Sequence, residues 1–438
     1  MLPDIKKLSK KQKIIFGSLG TLLLVVIIAL VIPPVRERVA YRWDELKARI
    51  YFAISPPEKA VFVPQQAATE VLAVTKTAEI LRPTPTVIIN PTNGPTSTPT
   101  LPPTALPAQV KLDKVPYIDQ HYGFNNCAPS NLAMLLTFWG WDGKREDISK
   151  VVKPFDLDKN VMPYELADYV DSNTNFKAIV RLGGTVDVLK NLVSNGFPVI
   201  VEKGVYLLDT SGRVSWMGHY NTVVGYDESS QQFIVHDPYL KDGKFKHFGY
   251  DELKQGWRAF DYTFLVVYPN DKWNTLADAL GPYADETQSY TLAQTIATNE
   301  IGTTTGADHF FALFNRGTNL VKQQDFIGAA GVYDEAFKFY VTLPEQTRPY
   351  RFAWYQTGPY FAYYYAGRYN DVVNLANQTL ASTNEPYLEE SYYWRALAET
   401  MLGQRDLAIK DLCTSLTYHP GFPPSVGALK DLGGSTCK

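Results

Sequence analysis

Residues 115–140 read VPYIDQHYGFNNCAPSNLAMLLTFWG, and the position of Cys127 inside this stretch decides how the chain folds. Leu132, Leu135, Leu136 and Trp139 recur at helical spacing after the cysteine, and Gly140 supplies a stop. Pro129 falls in the first turn, where its missing N–H costs nothing. The spacing therefore predicts a helix that begins at or just after Cys127. Unpaired N–H groups and the dipole at a helix start stabilise a thiolate, so a cysteine held there is activated. A cysteine taken alone is more often a small buried hydrophobe, and its surroundings must argue for anything more.

Gln120 lies seven positions earlier, behind a loop that contains Gly123, Asn125 and Asn126. A loop of that length can return the side-chain amide to the thiol. The amide N–H and the backbone N–H at the helix start would then converge as donors for the oxyanion of acyl transfer. Six histidines are available as a base: His121, His219, His236, His247, His309 and His419. His219 begins the strand-like run HYNTVVGYD, and after a turn over residues 227–231 the run FIVHDP follows, so the two read as a hairpin. With Tyr226 paired to Gln232, His219 and Asp237 fall diagonally on one face, about 7 Å apart along the backbone. A carboxylate there would hold the imidazole tautomer and stabilise the imidazolium. His236 alternates to the opposite face. His121 shares the loop of Cys127 and suits a gating or surface role. A metal site from His219, His236, Asp237 and His247 ranks well below this arrangement, because no H-E-x-x-H or similar ligand spacing is present. Neither a metal nor a cofactor is expected.

Several stretches carry a resemblance: VPYIDQ at 115–120, NNCAPSNLAMLL around Cys127, YELADYV from Tyr164, LKNLVSNGFPVIV from Leu189, GHYNTVVGYD at His219 and VHDPY at Asp237. Together they resemble the double-glycine, or bacteriocin-processing, family of cysteine peptidases, in its stand-alone branch within the papain superfamily. The resemblance covers roughly a third of the chain. It implies an α+β papain-like domain with Gln120 as oxyanion donor, Cys127 as nucleophile, His219 as base and Asp237 as orienting acid. Ala128 departs from the glycine usual after the cysteine, although its backbone N–H is retained. No transporter segments or nucleotide-binding domain follow, so removal of leader peptides during export is not implied.

Outside this region the chain changes character. Residues 14–33 form an uncharged stretch long enough to cross a membrane as a helix. Proline and arginine follow it in place of a small-residue cleavage site, which favours an uncleaved anchor. Lysines before the span and arginines after it balance, so orientation rests on the short Lys-dense N-terminus and on the Pro/Thr-rich linker at 82–109. That linker cannot pack a core and serves as a spacer. The reading divides the chain into a cytoplasmic N-terminus (1–13), the span (14–33), a juxtamembrane segment (34–81), the linker (82–109), the peptidase-like domain (110–270), connecting helices (271–305) and repeats (306–438). The repeats follow a period of about 34 residues, as in a tetratricopeptide solenoid. Their clearest copy runs from Glu390 to Pro420 with Gly403 at its turn, and others centre on Gly367 and on Gly317 with Ala329. Tyr360, Tyr363, Tyr364, Tyr365, Tyr392 and Tyr393 are read mostly as packing between those helices.

A formal net charge of -3 without a basic block argues against nucleic acid as a partner. The three cysteines show no metal-type spacing; Cys413 and Cys437 can pair once exported, leaving Cys127 as a free thiol. The expected protein is thus a single-pass cell-membrane enzyme with its C-terminal domains outside the cytoplasm. It would cleave a peptide or protein, while the repeats dock substrate or partner. The alternatives are an inactive peptide-binding scaffold of the same fold, and hydrolysis of cell-wall peptides, against which the lack of a glycan-binding module speaks.

Overall fold

A computed structural model describes Lys11, Ser18, residues 62–64, residues 106–433 and Cys437, except for 122, 124, 156–157, 159, 209–213, 345–347 and 384–385. The expected membrane span and linker lie outside these residues, apart from Ser18 and residues 106–109. Among the described residues no helix is long and apolar enough to cross a membrane.

The first domain is built on an antiparallel sheet. Its strands, named in chain order, are β1 (Gln109–Lys111), β2 (Phe176–Arg181), β3 (Val199–Leu208), β4 (Val214–Asp227), β5 (Gln232–His236), β6 (Lys246–Gly249) and β7 (Phe264–Pro269). They lie in the order β2-β7-β3-β4-β5-β6, and β1 adds to β4. Period-2 alternation along these strands supplies two cores. Val199, Val201, Val223, Val235 and Val266 face one side, against α4 (Val186–Ser194), α5 (Tyr250–Arg258) and α6 (Trp273–Leu280). Ile200, Leu265 and Val267 face the other, against α1 (Cys127–Phe138), α2 (Arg145–Val152) and α3 (Pro163–Asn173). Helix α1 starts at Cys127 itself, and the chain turns out of it at Gly140 with φ +94°, a conformation that glycine adopts at no steric cost.

The hairpin that carries His219 differs in register at its turn from the sequence expectation. Asp227 faces Gln232 and Tyr226 faces Phe233; an irregularity between Val223 and Gly225 then resets the ladder so that Thr222 faces His236. A single extra residue on one strand has this effect. Gly225 is required at that point because a Cβ would lie 2.4 Å from the Val110 carbonyl oxygen of the neighbouring β1.

Beyond the sheet the described chain is helical: α7 (Glu286–Ile301), α8 (Gly306–Lys322), α9 (Phe326–Tyr340), α10 (Gly358–Tyr365), α11 (Tyr369–Ala381), α12 (Glu389–Met401), α13 (Arg405–Tyr418) and α14 (Pro423–Asp431). Helices pair as α8 with α9, α10 with α11 and α12 with α13. Each pair turns through a residue of positive φ, namely Gln324, Gly367 and Gly403. The turn of the first pair is at Gln324, while Gly317 lies inside α8 and lets the Tyr333 ring approach to 2.7 Å from where its Cβ would be. The spacing is also uneven. Between the first and second pairs residues 348–357 reach back to the first domain: Tyr350 donates to Ser215 Oγ, and Gln356 bonds the Ala259 carbonyl. The two domains share an apolar interior in which Trp216 stacks on Phe260 at 5.9 Å and on Phe311 at 5.7 Å. Tyr360 and Tyr363 are fully buried between helices, whereas Tyr365 is exposed. Cys413 and Cys437 form a disulfide.

Arg368, at the turn of the second pair, is buried. Its guanidinium binds Asp334 of α9 at 2.7 Å and Asp371 of α11 at 2.8 Å, and Tyr363 donates to the same Asp334. Removing one partner of a buried ion pair strands the other charge, at a cost of about 3–5 kcal/mol. Arg368→Ala is therefore expected to lower the thermal midpoint of the helical domain by several degrees in scanning calorimetry. Unchanged melting would show that the pair does not hold these helices together.

Candidate active site

Cys127, the first residue of α1, meets His219 of β4, a strand in the interior of the sheet, and the thiol and imidazole are hydrogen bonded. The backbone N–H of Ala128 also bonds the sulfur, so the helix start does bear on the thiol. On its far side His219 presents Nε2 to Asp237 Oδ1 at 2.7 Å, which leaves Nδ1 for the sulfur. Asp237 follows directly on β5, and the Tyr239 N–H donates to the same oxygen at 3.0 Å. His219 and Asp237 are sheltered from water, at 3 % and 5 % exposed, and Cys127 is half-buried.

Burial alone would raise the Cys127 thiol, yet the hydrogen bond and charge of His219 outweigh it and the thiol ends below its usual value. Burial would lower His219, but Asp237 and the thiol push it up to about 9. The same imidazole, with help from Lys203, overcomes the burial of Asp237 and holds its carboxyl well below the usual carboxylate range. Each of the three shifts favours the charged form of its group, as a thiolate–imidazolium pair steadied by a carboxylate requires.

Gln120 is held beside this cluster from both sides. Its N–H donates to the Pro238 carbonyl at 3.2 Å, next to Asp237, while the preceding Asp119 carbonyl accepts from Ser130 in the first turn of α1 at 3.3 Å. The side-chain Oε1 of Gln120 is buried with no hydrogen-bond partner among the described residues. His236 lies apart, as alternation predicts: it bonds the Val115 carbonyl and accepts from the Phe245 N–H, and burial lowers it to about 4. His121 pairs with Asp119 at 2.7 Å.

Three contributors escaped the sequence reading. Asn131, one turn into α1 and fully buried, donates to the Cys127 carbonyl at 2.8 Å and to the Tyr220 carbonyl at 2.9 Å, and accepts from Thr222 at 2.6 Å. A polar residue amid the apolar positions of a helix was the signal for it. Glu202 of β3 faces Tyr220 in the ladder and bonds its hydroxyl; burial raises its carboxyl well above the usual range, so it is neutral beside the thiol. Tyr355 comes from the helical domain and lies over Gly218, where a Cβ would sit 2.9 Å from the ring. Nothing in the local sequence marks Tyr355.

Residues 112–264 match the Peptidase_C39 like family. No curated protein matches the chain. Among solved structures, one described as a C39-like peptidase from Bacillus anthracis is 19% identical, with a TM-score of 0.31 over 37% of this chain and 98% of that one. The peptidase domain of Streptococcus ComA, a bi-functional ABC transporter in a quorum-sensing pathway, is 14% identical, with a TM-score of 0.28 over 35% and 98%. Xylellain, a cysteine protease from Xylella fastidiosa, is 13% identical, with a TM-score of 0.29 over 49% and 98%. The sheet domain over residues 112–264 is thus similar to that family, and a helical region follows it.

The electrostatics predict how the thiol reacts. The pair forms as pH rises through the lowered Cys127 value and persists until His219 deprotonates near about 9. Alkylation of Cys127 by iodoacetamide is therefore expected to be faster at neutral pH than that of an ordinary thiol and to fall as pH drops through the lowered value. In His219→Ala the rate at pH 7 should drop by about tenfold or more, with its midpoint moved up toward the usual thiol value of about 8.5. Equal rates in the two proteins would show that the imidazole does not activate the sulfur.

Proposed function

We propose that this chain is a membrane-anchored cysteine peptidase acting outside the cytoplasm through Cys127, His219 and Asp237, with its helical region docking the protein substrate or a partner. The observation that carries the reading is the hydrogen-bonded line from a sulfur at a helix start, through an imidazole, to a buried carboxylate.

In this mechanism His219 Nδ1 holds the proton taken from the Cys127 thiol, and the thiolate attacks the carbonyl carbon of a peptide bond. The negative charge moves to the carbonyl oxygen, where the Gln120 side-chain amide and the backbone N–H at the start of α1 stabilise it. Collapse breaks the C–N bond as His219 delivers its proton to the leaving amine, giving a thioester. Water, deprotonated by His219, then releases the acid and restores the thiol. Asp237 keeps the imidazole oriented and steadies its cationic form. Neutral Glu202 avoids placing a second negative charge beside the thiolate.

The helical pairs α8–α9, α10–α11 and α12–α13, with glycine or Gln324 at their turns, support a tetratricopeptide-type solenoid. The Cys413–Cys437 disulfide supports an oxidising compartment, and with it the extracytoplasmic orientation of residues beyond 33. The span at 14–33 supplies the anchor. An inactive binding module of the same fold is the second reading; Tyr355, which packs over Gly218 beside Cys127, is the observation in its favour.

The two readings part on turnover. Against a peptide library the full chain is expected to cleave, and Cys127→Ala to leave all peptides intact. Gln120→Ala should lower kcat by about 10²–10³-fold while Cys127 alkylates at the wild-type rate, because the amide acts on the oxyanion and not on the thiol. Absence of any cleavage by wild type that alkylates rapidly would favour the binding module.

A further inference from the structure

A second cluster of ionisable groups lies where the papain-like domain meets the helical region, at residues the peptidase chemistry does not use. Asp158, in the loop after α2, Glu389, at the start of α12, and His419, just past α13, each offer a ligand atom, and the three atoms lie within 4.8 Å of one another. Glu165 of α3 approaches the same His419 Nδ1 to 3.8 Å, and Glu389 Oε1 lies 2.9 Å from it. Glu390 stands beside them. Asp158, Glu389, Glu390 and His419 are buried, at 2 %, 1 %, 6 % and 7 % exposed, and Glu165 is half-buried.

Carboxylates are not gathered out of water without compensation. Here the groups that weigh most on Glu165 and Glu389, after burial itself, are other carboxylates, and both are pushed well above the usual range. Burial lifts Glu390 up to about 7. Most telling, Glu389 Oε2 and Glu390 Oε1 have no hydrogen-bond partner among the described residues although both are shut off from solvent. An acidic cluster that merely shared protons would turn these oxygens toward donors. The flanks of the site are aromatic: Phe155 packs on Tyr387 at 4.7 Å and on Tyr418 at 5.7 Å, which excludes water from the junction.

We propose that Asp158, Glu165, Glu389 and His419 bind one divalent transition-metal cation, zinc or manganese, that clips the helical region to the papain-like domain. One imidazole with several carboxylates suits those ions better than calcium, which takes six to eight oxygen ligands. Ligand atoms this close can reach a single ion at about 2.0–2.2 Å after small side-chain rotations. Two ligands come from each domain, so the ion acts on how the domains sit together. The bond-making residues Cys127 and His219 have no part in it, and the proposal stands whether or not the chain is a peptidase.

The test uses the full chain carrying Cys127→Ser, so that the thiol and His219 cannot hold a metal themselves. The protein is stripped with EDTA, offered Zn²⁺, Mn²⁺ or Ca²⁺ separately, passed through gel filtration and assayed for bound metal and thermal midpoint. One Zn²⁺ or Mn²⁺ per chain is expected, with a raised midpoint. The isosteric variants Glu389→Gln and Glu165→Gln, one from each domain, should lose the ion while keeping the circular dichroism of the stripped parent. Retention of Ca²⁺ alone, retention of no cation, or full occupancy in both variants would overturn the proposal.

Discussion

The side chain of Asn131 is the constraint on which the site depends. The cysteine and the histidine belong to different elements, a helix start and a strand deep in the sheet, and nothing in the connectivity makes them neighbours. One amide bridges them, giving hydrogen to the Cys127 carbonyl and to the Tyr220 carbonyl and receiving it from Thr222. Each such bond contributes about 1 kcal/mol net, but a buried amide left unpaired costs about 1–3 kcal/mol, so the bridge is worth more as a geometric requirement than as a source of stability. Any packing of α1 on β4 that slides by a residue leaves those groups without partners. The thiol is thereby set opposite the imidazole.

Once that position is set, burial decides the electrostatics. In water a thiol and an imidazole at neutral pH are mostly uncharged; here the low polarity of the surroundings penalises isolated charges and strengthens paired ones. Asp237 tips the balance by favouring imidazolium, and the imidazolium favours thiolate. The neighbouring Glu202 obeys the same rule with the opposite result. Lacking a cation, it stays protonated and shares a hydrogen bond with Tyr220.

The helical region is more than an appendage to this domain. Trp216, on the strand of His219, stacks into its aromatic interior, and Tyr355 returns from it to lie over Gly218. The interval between the first two helix pairs is long because residues 348–357 make that return. A strict repeat period could not have accommodated it, which is why the pattern read from the sequence is regular only toward its end.

Much was legible without coordinates because it is local. Helical spacing after Cys127 located the start of α1, alternation separated His219 from His236, and a turn between two β-rich runs marked the hairpin. The diagonal of His219 and Asp237 was legible too, although the turn register was one residue off and a bulge corrects it. What remained hidden is what long-range packing creates: Asn131 as a bridge, Glu202 as a neutral neighbour, Tyr355 as a cover, and the carboxylates that meet His419 at the domain junction. Sequence by itself determined which elements form and which side chains share a face, since those follow from steric periods of two and 3.6 residues. Only the tertiary structure decided which faces meet and how dry the space between them is, because burial depends on every element at once, and burial sets both protonation and reach.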